Sequence, residues 1–339
     1  MKQLVCVIPC RNEKNYIEEC VRAIFSCNLP ANFEINIIVV DGMSNDGTRE
    51  VIKKLQIEFL HLFLVDNLQQ LTPFAFNLGI KALPHADFIQ IVGARHILSV
   101  DYLQQSLAIL EDDKEVWCVG GKIVNNYTNE TSELISKAMS TSFGMGLGNF
   151  RTLDKSGYTD TVTSPMYPKW VFEKIGYFDE ELIRNQDDDF NFRLIKAGGK
   201  IYYCNEISLK YYVRGNFQQL WKQFFQYGYW KVYVNLKHKT VTTLRQLVPP
   251  MFVLFICLTI VLGLLINTIL LFASLVYVLY FILAVYSVIQ LTKKAKQLFI
   301  IPFIYPIIHI SYGLGYLIGI FHFIFLKRKP SEKQKIMSR

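Results

Sequence analysis

Apolar residues gather in short runs through the first 125 positions, and polar turns carrying glycine separate them. Unbroken runs of Val and Ile fit strands buried on both faces. The pattern predicts strands over residues 4–8, 35–40, 59–65, 87–92 and 116–124, the last interrupted by Gly120 and Gly121. Between them the spacing turns helical. Over 16–25 it puts Ile17, Val21, Ile24 and Phe25 on one face, and 48–55 repeats that period. Thr72-Pro73 opens a further helix, with Thr as cap and Pro at the first helical position. Such alternation predicts an α/β domain with a mainly parallel sheet and helices on both faces. No G-x-G-x-x-G follows the first strand, which argues against a dinucleotide-dependent dehydrogenase.

The pattern changes after residue 215. Residues 216–246 mix aromatic rings (Phe217, Trp221, Phe224, Trp230) with Lys222, Lys231, Lys237, Lys239 and Arg245. That composition predicts one or two helices lying in the headgroup zone of a membrane, rings inward and cations outward. Residues 248–266 and 269–289 are apolar and uncharged, and a membrane span needs ~20 such residues. Only Asn267 and Thr268 separate them, so a tight hairpin is expected. Lys293, Lys294 and Lys296 then mark a cytosolic loop. Residues 298–326 form a third apolar stretch carrying Pro302, Pro306, Gly313, Gly315 and Gly319. Two readings of it stand. A third span puts the tail outside, against the preference of Lys327, Arg328, Lys329, Lys333 and Lys335 for the inside. A re-entrant segment, bent at the prolines or glycines, keeps the tail inside.

Charge follows the same division. The 339 residues carry a formal +8, but 27 of the 28 acids lie in residues 1–206. That part is −7; residues 207–339 are +15, with Glu332 as their lone acid. An acid-free basic tract rich in apolar residues fits a membrane surface. Long apolar runs between the basic groups argue against nucleic acid as partner. Seven Cys with no C-x-x-C pair argue against a disulfide framework or a structural zinc site. A signal peptide is not expected, because charges at Arg11, Glu13 and Lys14 follow the first short apolar run. Two Asn-x-Thr sequons, at Asn126 and Asn129, carry little weight in a domain read as cytosolic.

Candidate chemistry begins at Asp41. The apolar run to Val40 ends there, and Gly42-Met43-Ser44-Asn45-Asp46-Gly47-Thr48 follows. In an open α/β sheet, ligands sit beyond the carboxyl ends of the strands. A carboxylate there can accept hydrogen bonds from a nucleobase or ribose; equally, it can cap the next helix. A second acidic cluster, Asp187-Asp188-Asp189, opens a short helix with Phe190 and Leu194 on one face. Negative charge is favourable at a helix start by ~0.3–1 kcal/mol, so this run too has a structural reading.

Taken together, six segments resemble glycosyltransferase family 2, and most of all its membrane-anchored bacterial enzymes of the succinoglycan-biosynthesis type. They are Ile8-Pro9-Cys10-Arg11-Asn12-Glu13, Val40-Asp41 through Thr48, Asn77-Leu78-Gly79-Ile80, Gly176-Tyr177-Phe178-Asp179-Glu180, Gln186-Asp187-Asp188-Asp189, and Gln223 with Tyr227-Gly228-Tyr229-Trp230-Lys231. A looser match continues at His309 to Gly315. The resemblance implies a GT-A fold and a nucleotide-sugar donor, with a UDP-sugar the first expectation. Pro9, Arg11, Glu13, Asp41 and Asn77 would bind that donor. Asp187 falls at the general base of an inverting transfer, with Asp188 and Asp189 as support. Gln223 and Trp230 would stand at the acceptor or diphosphate side.

The chain departs from the family after the fourth strand. Where an acidic metal-binding motif is usual, it reads Gly93-Ala94-Arg95-His96. No cofactor is certain; Mg2+ or Mn2+ through His96 or Asp101 is one expectation. The other is that Arg95, assisted by His96, neutralises the leaving diphosphate without metal, since a guanidinium grips phosphate oxygens as a fork.

The expected organisation is a catalytic domain over 1–215, interfacial helices over 216–246, a membrane region over 247–326 and a basic tail over 327–339. The expected activity is transfer of a sugar to a lipid-linked saccharide in exopolysaccharide, capsule or cell-wall synthesis. The enzyme would be multi-pass in the inner (plasma) membrane, with its catalytic domain cytosolic. A polyprenyl-phosphate sugar synthase is the alternative enzyme. A degenerate, non-catalytic membrane scaffold is the alternative of another class. A transporter is disfavoured, since no carboxylate lies within the apolar stretches.

Overall fold

The computed structural model describes residues 1–146, 150–213, 215–263 and 265–330. Lys333, Lys335 and Glu332 of the basic tail lie outside the described residues. The chain divides into two compact units, one of residues 1–126 with 153–212, the other of 127–152 with 213–339.

The first unit opens with β1 (Lys2–Cys10), α1 (Ile17–Phe25), β2 (Phe33–Asp41), α2 (Thr48–Glu58), β3 (Leu62–Asp66), α3 (Thr72–Ala82) and β4 (Phe88–Ile91). It continues through β5 (His96–Leu98), α4 (Tyr102–Asp112) and β6 (Val116–Tyr127). In the second unit, α5 (Glu130–Met139) and α6 (Ser142–Met145) follow. The chain then returns to the first unit for β7 (Gly157–Thr159), β8 (Thr163–Pro168), α7 (Trp170–Ile175), α8 (Gln186–Lys196) and β9 (Lys200–Val213).

One sheet holds nine strands in the order β3-β2-β1-β4-β8-β6-β9-β5, with β7 paired to β9. Strands β1 to β4 are parallel neighbours. β8 runs antiparallel to both β4 and β6, and β5 and β7 run antiparallel to β9. The sheet is therefore mixed, a correction to the mainly parallel one expected. The core explains the apolar runs. Along β1, Leu4, Cys6 and Ile8 enter one hydrophobic cluster while Val5 and Val7 enter another. β2 divides in the same way, Ile37 and Val39 against Ile38 and Val40. Successive side chains point to opposite faces, so a strand covered on both sides must be apolar throughout. α3 lies so close that a side chain on Gly79 would meet Val7 Cγ1 at 2.3 Å.

Local details shift from expectation. Phe59 is not in β3; it ends α2 with its N–H on the Leu55 carbonyl, and its ring stacks on Phe25 at 4.3 Å. Leu71, not Thr72, is the N-cap of α3, and Thr72 and Pro73 lie in its first turn. A register shift between Val119 and Gly121 marks the glycine pair within β6.

The second unit adds α9 (Phe217–His238), α10 (Val248–Gly263), α11 (Asn267–Ile289), α12 (Ala295–Ile300) and α13 (Ile304–Gly319). Among the described residues, three helices are long and apolar enough to cross a membrane: Leu244–Gly263, Thr268–Ile289 and Ala295–Phe325. Asn267 opens α11 rather than lying in the turn before it. The third helix tightens to a 3-10 turn at Ile301–Phe303 and ends as a π-helix over Ile320–Phe325. Its glycines do not break it. A side chain on Gly315 would lie 2.0 Å from the Phe225 carbonyl oxygen, and one on Gly228 2.0 Å from that of Tyr312. These positions bring α9 and α13 together backbone to backbone. Lys231, expected to face outward, is buried within this unit. Asn129 spends its side chain capping α5, in a reciprocal pair with Ser132.

Candidate functional site

Because β1, β2 and β4 are parallel, their carboxyl ends reach one edge of the sheet. β8 runs the other way, so its first residues, Thr163 and Ser164, lie at that same edge. The loops after β1 and β2 are tied together there. Asn12 N–H donates to Ser44 Oγ at 2.8 Å, Asn45 N–H to Asn12 Oδ1 at 3.0 Å, and Glu13 N–H to Thr48 Oγ1 at 2.9 Å. Asp46 accepts from Thr48 Oγ1 and from the N–H groups of Thr48 and Lys14. Burial works against its charge, but these donors hold its carboxyl below the usual aspartate value. Asn12, Met43, Ser164 and Asn185 all have positive φ, between 42° and 61°. Such backbone costs of order 1–3 kcal/mol per residue and gathers at sites of function.

Asp41 is fully buried at the end of β2. It accepts from Ser44 N–H at 2.9 Å, Ser44 Oγ at 2.5 Å and Arg49 Nη1 at 2.7 Å. Arg49 reaches with its other arm to Asp66, which pairs with Asp41 in register across β2 and β3. Asp41 does not cap α2, whose N-cap is Gly47. Pro9 stands opposite Val40, one pair before Cys10 and Asp41. Arg11 is exposed beside Gly42; a side chain at that glycine would start 3.3 Å from the Arg11 stem.

Glu13 and Arg95 meet across this edge. Arg95 Nε donates to Glu13 Oε2 at 2.7 Å, and its guanidinium lies 4.5 Å over the Tyr16 ring. The contact uses Nε, so it does not consume the two terminal amino groups. The slot where the resemblance implies a metal does not suit one. Gly93 brings no donor, Arg95 brings a cation, and His96 Nδ1 is bonded to Ser164 Oγ at 2.7 Å. Among the described residues, no three of His, Cys, Asp and Glu converge as metal ligands.

The acidic cluster occupies the first turn of α8, behind Asn185 as N-cap. Asp187 is exposed, and its Oδ1 accepts from Asp188 N–H at 3.0 Å. Four residues on and on the same helix face, Asn191 Nδ2 reaches Thr161 Oγ1 at 3.2 Å, just ahead of β8. Burial pushes the hydroxyl of Tyr167 on β8 far up, with Cys118 next and the Asp187 charge the smallest contribution. Gln186 Oε1 and Asn191 Oδ1 are buried here without a hydrogen-bond partner among the described residues. Asp189 is buried and pairs with Arg193 at 2.9 Å. Arg193 in turn donates to the carbonyls of Ile175, Gly176 and Tyr177, which fixes the loop before α8.

Asn77 has a different task from the donor contact expected. Both its amide hydrogens are engaged, by the Phe178 carbonyl at 2.8 Å and Glu180 Oε1 at 2.9 Å, and its oxygen accepts from Phe178 N–H at 3.0 Å. It is a clasp on the same loop. Gln223 and Trp230 belong to the second unit. Gln223 donates to Tyr227 Oη at 2.8 Å, and Trp230, 2% exposed, packs against Tyr233 and Phe323. Such burial suits a packing residue rather than a contact to an acceptor. Sequence reasoning missed Arg49, Arg193 and Ser164. Arg193 sits four residues beyond Asp189, so charge spacing carried a signal there; Arg49 lies eight residues beyond Asp41, and nothing in the sequence marked it or Ser164.

The mixed α/β sheet, with strained loops and paired charges at the carboxyl edge of its parallel strands, has the layout of a GT-A fold, here in one chain with apolar membrane-length helices. Residues 5–176 match the family described as glycosyl transferase family 2, and the chain belongs to that family. It is 32% identical over 236 residues to the dolichyl N-acetyl-alpha-D-glucosaminyl phosphate 3-beta-D-2,3-diacetamido-2,3-dideoxy-beta-D-glucuronosyltransferase of Methanococcus voltae, covering 67% of this chain and 72% of that one. It is 27% identical over 247 residues to the succinoglycan biosynthesis protein ExoA of Rhizobium meliloti (strain 1021), covering 72% and 73%. Among solved structures, S. aureus TarS shares the fold, with a TM-score of 0.52, 15% identity and 70% of this chain covered. The chain spans 39% of TarS.

Proposed function

We propose that the protein is an inverting glycosyltransferase that moves a sugar from a nucleoside diphosphate, UDP first, to a saccharide already carried on a membrane lipid. The observation that carries this is the joining of the Glu13–Arg95 pair, the Asp41–Arg49 network and the strained Ser164 at one sheet edge. The donor lies across that edge, with Asp41 and its loop toward the nucleoside and Pro9 and Arg11 beside it. Glu13 aims Arg95 through Nε, and the remaining guanidinium fork takes the diphosphate oxygens as negative charge builds on the leaving group. Asp187 takes the proton from the acceptor hydroxyl as that oxygen attacks the anomeric carbon from the opposite side. Asp188 and Asp189 support it, Asp189 through Arg193. No step is routed through a metal, because the donor set after β4 is a glycine, an arginine and a committed histidine.

A lipid-linked saccharide is favoured over a bare lipid phosphate as acceptor. The Methanococcus voltae relative carries in its name a saccharide linked through phosphate to dolichol, and a 3-beta linkage. An exopolysaccharide setting rests on the Rhizobium meliloti relative alone. The catalytic unit faces the cytosol, where nucleotide-sugars are found, as the basic loop at Lys293–Lys294 also favours.

The test screens labelled nucleotide-sugars with membranes containing the protein, then hydrolyses the lipid product in mild acid. Release of a labelled disaccharide or longer glycan supports the reading. Release of labelled monosaccharide indicates a polyprenyl-phosphate sugar synthase. Absence of binding and transfer with every donor points to the scaffold.

A further inference from the structure

Gly93 stands where the family resemblance implies the first acidic ligand of a metal. A side chain there would begin 3.0 Å from His96 Cε1 and 3.1 Å from Nδ1. The imidazole thus fills the volume an acid at position 93 would take. Its orientation is set from two sides. Gly93 N–H points at His96 Nδ1 at 3.3 Å, and Ser164 Oγ lies 2.7 Å from the same nitrogen. A backbone N–H can only donate, so Nδ1 is the acceptor, the Ser164 hydroxyl donates to it, and the ring proton sits on Nε2. The Tyr211 ring meets the imidazole edge-on at 5.3 Å.

Ser164 is itself held in place. Its φ is +42°, a conformation an L-residue keeps only when its surroundings enforce it. Here two buried donors do so: Gln90 Nε2 at 2.7 Å and Tyr102 Oη at 2.9 Å both bond the Ser164 carbonyl. Tyr102 Oη in turn accepts from Gly121 N–H at 2.9 Å. Two strands and a helix therefore converge to aim one hydroxyl at one imidazole nitrogen.

We infer that Gly93, His96 and Ser164 form one unit that replaces the metal-binding acid with a neutral imidazole, whose Nε2–H binds the donor's diphosphate beside Arg95. His96 is the contacting group; Gly93 and Ser164 are positioning residues, one by leaving room and one by fixing the tautomer. The inference rests on the nucleotide-sugar reading above and adds to it the means by which this chain holds the diphosphate.

The test uses the full chain in detergent, with and without EDTA, and measures binding of UDP, GDP and dTDP, each beside its parent nucleoside. The diphosphate increment is the ratio of the two affinities. His96→Ala is expected to cut that increment about tenfold or more, the worth of a hydrogen bond to a charged group, with nucleoside affinity unchanged. Gly93→Ala crowds the ring, and Ser164→Gly removes its partner while relieving the backbone. Each lowers the increment alone and adds nothing in the His96→Ala background, where the ring is gone. A role in folding alone would move nucleoside and diphosphate affinities together. An increment that survives His96→Ala, losses that add in the double variants, or an increment abolished by EDTA overturns the unit while leaving the donor reading standing. Absence of any nucleotide binding to the wild type overturns both.

Discussion

Asp41 has no exposure, and Arg49 is the cation that makes its charge tolerable at that depth. Removing one partner of a buried pair leaves the other uncompensated, at about 3 kcal/mol or more. Arg49→Met is therefore expected to lower the thermal midpoint sharply and to weaken nucleotide binding with it; a midpoint unchanged within a degree would show that Asp41 is stabilised by Ser44 alone. The sequence left Asp41 open between ligand contact and helix cap; the structure removes the cap, since Gly47 holds that position, and closes a turn on Ser44 tied to Arg49. Nothing local to Asp41 encodes that tie, since Arg49 lies across the loop and its second acid, Asp66, comes from a neighbouring strand. Asn77 shows the same thing from the other direction: its motif was legible, but its partner, Phe178, lies 101 residues on. Asp187 was legible as an acid at a helix start because that helix is short, apolar on one side and acidic at its first turn.

Elements were read well where burial is two-sided and less well where it is supplied by neighbours. β1, β2 and β4 announce themselves as apolar runs because both faces are covered. β8 reads Thr-Ser-Pro-Met-Tyr-Pro and has no run; it is a strand because β4 and β6 flank it. β9 did carry a signal, since Ile201, Tyr203, Ile207 and Leu209 fall on alternate positions and are buried. In the second unit the glycines of α13 looked like breaks by composition, because glycine is a poor helix former. Their use is contact. With the Phe225 carbonyl oxygen only 2.0 Å from a would-be side chain at Gly315, any substituent must force α9 and α13 apart. Gly315→Ala is predicted to destabilise the protein by about 1–3 kcal/mol in detergent, and Gly315→Leu more, read as thermal midpoints. Gly157→Ala serves as the comparison, since nothing lies within 4 Å of that position. Equal midpoints for the two alanine variants would contradict the close helix pair.

At the scale of the whole molecule, the charge division between −7 and +15 and the three membrane-length helices among the described residues were both visible in composition. The third helix, 31 residues, is roughly 45 Å long at helical rise, more than the ~30 Å a bilayer core needs. That length accommodates a full crossing, and a cysteine placed at Lys329 reports the side of its far end by labelling with an impermeant maleimide in intact cells. Labelling before lysis places the tail outside and supports three spans; labelling only after lysis supports the re-entrant form. The mixed sheet was the least legible feature at this scale, because the antiparallel strands β8, β6 and β9 come from segments far apart in the chain.

In the proposed reaction Asp187 accepts the proton of the attacking hydroxyl. The measurement is sugar transfer from labelled nucleotide donor into the lipid fraction, for wild type and Asp187→Asn at equal amounts in the same detergent, with nucleotide affinity determined on both. A loss in kcat of about 10²–10⁴ is expected, with affinity for the donor nucleotide retained. Turnover by Asp187→Asn within a fewfold of wild type would contradict it.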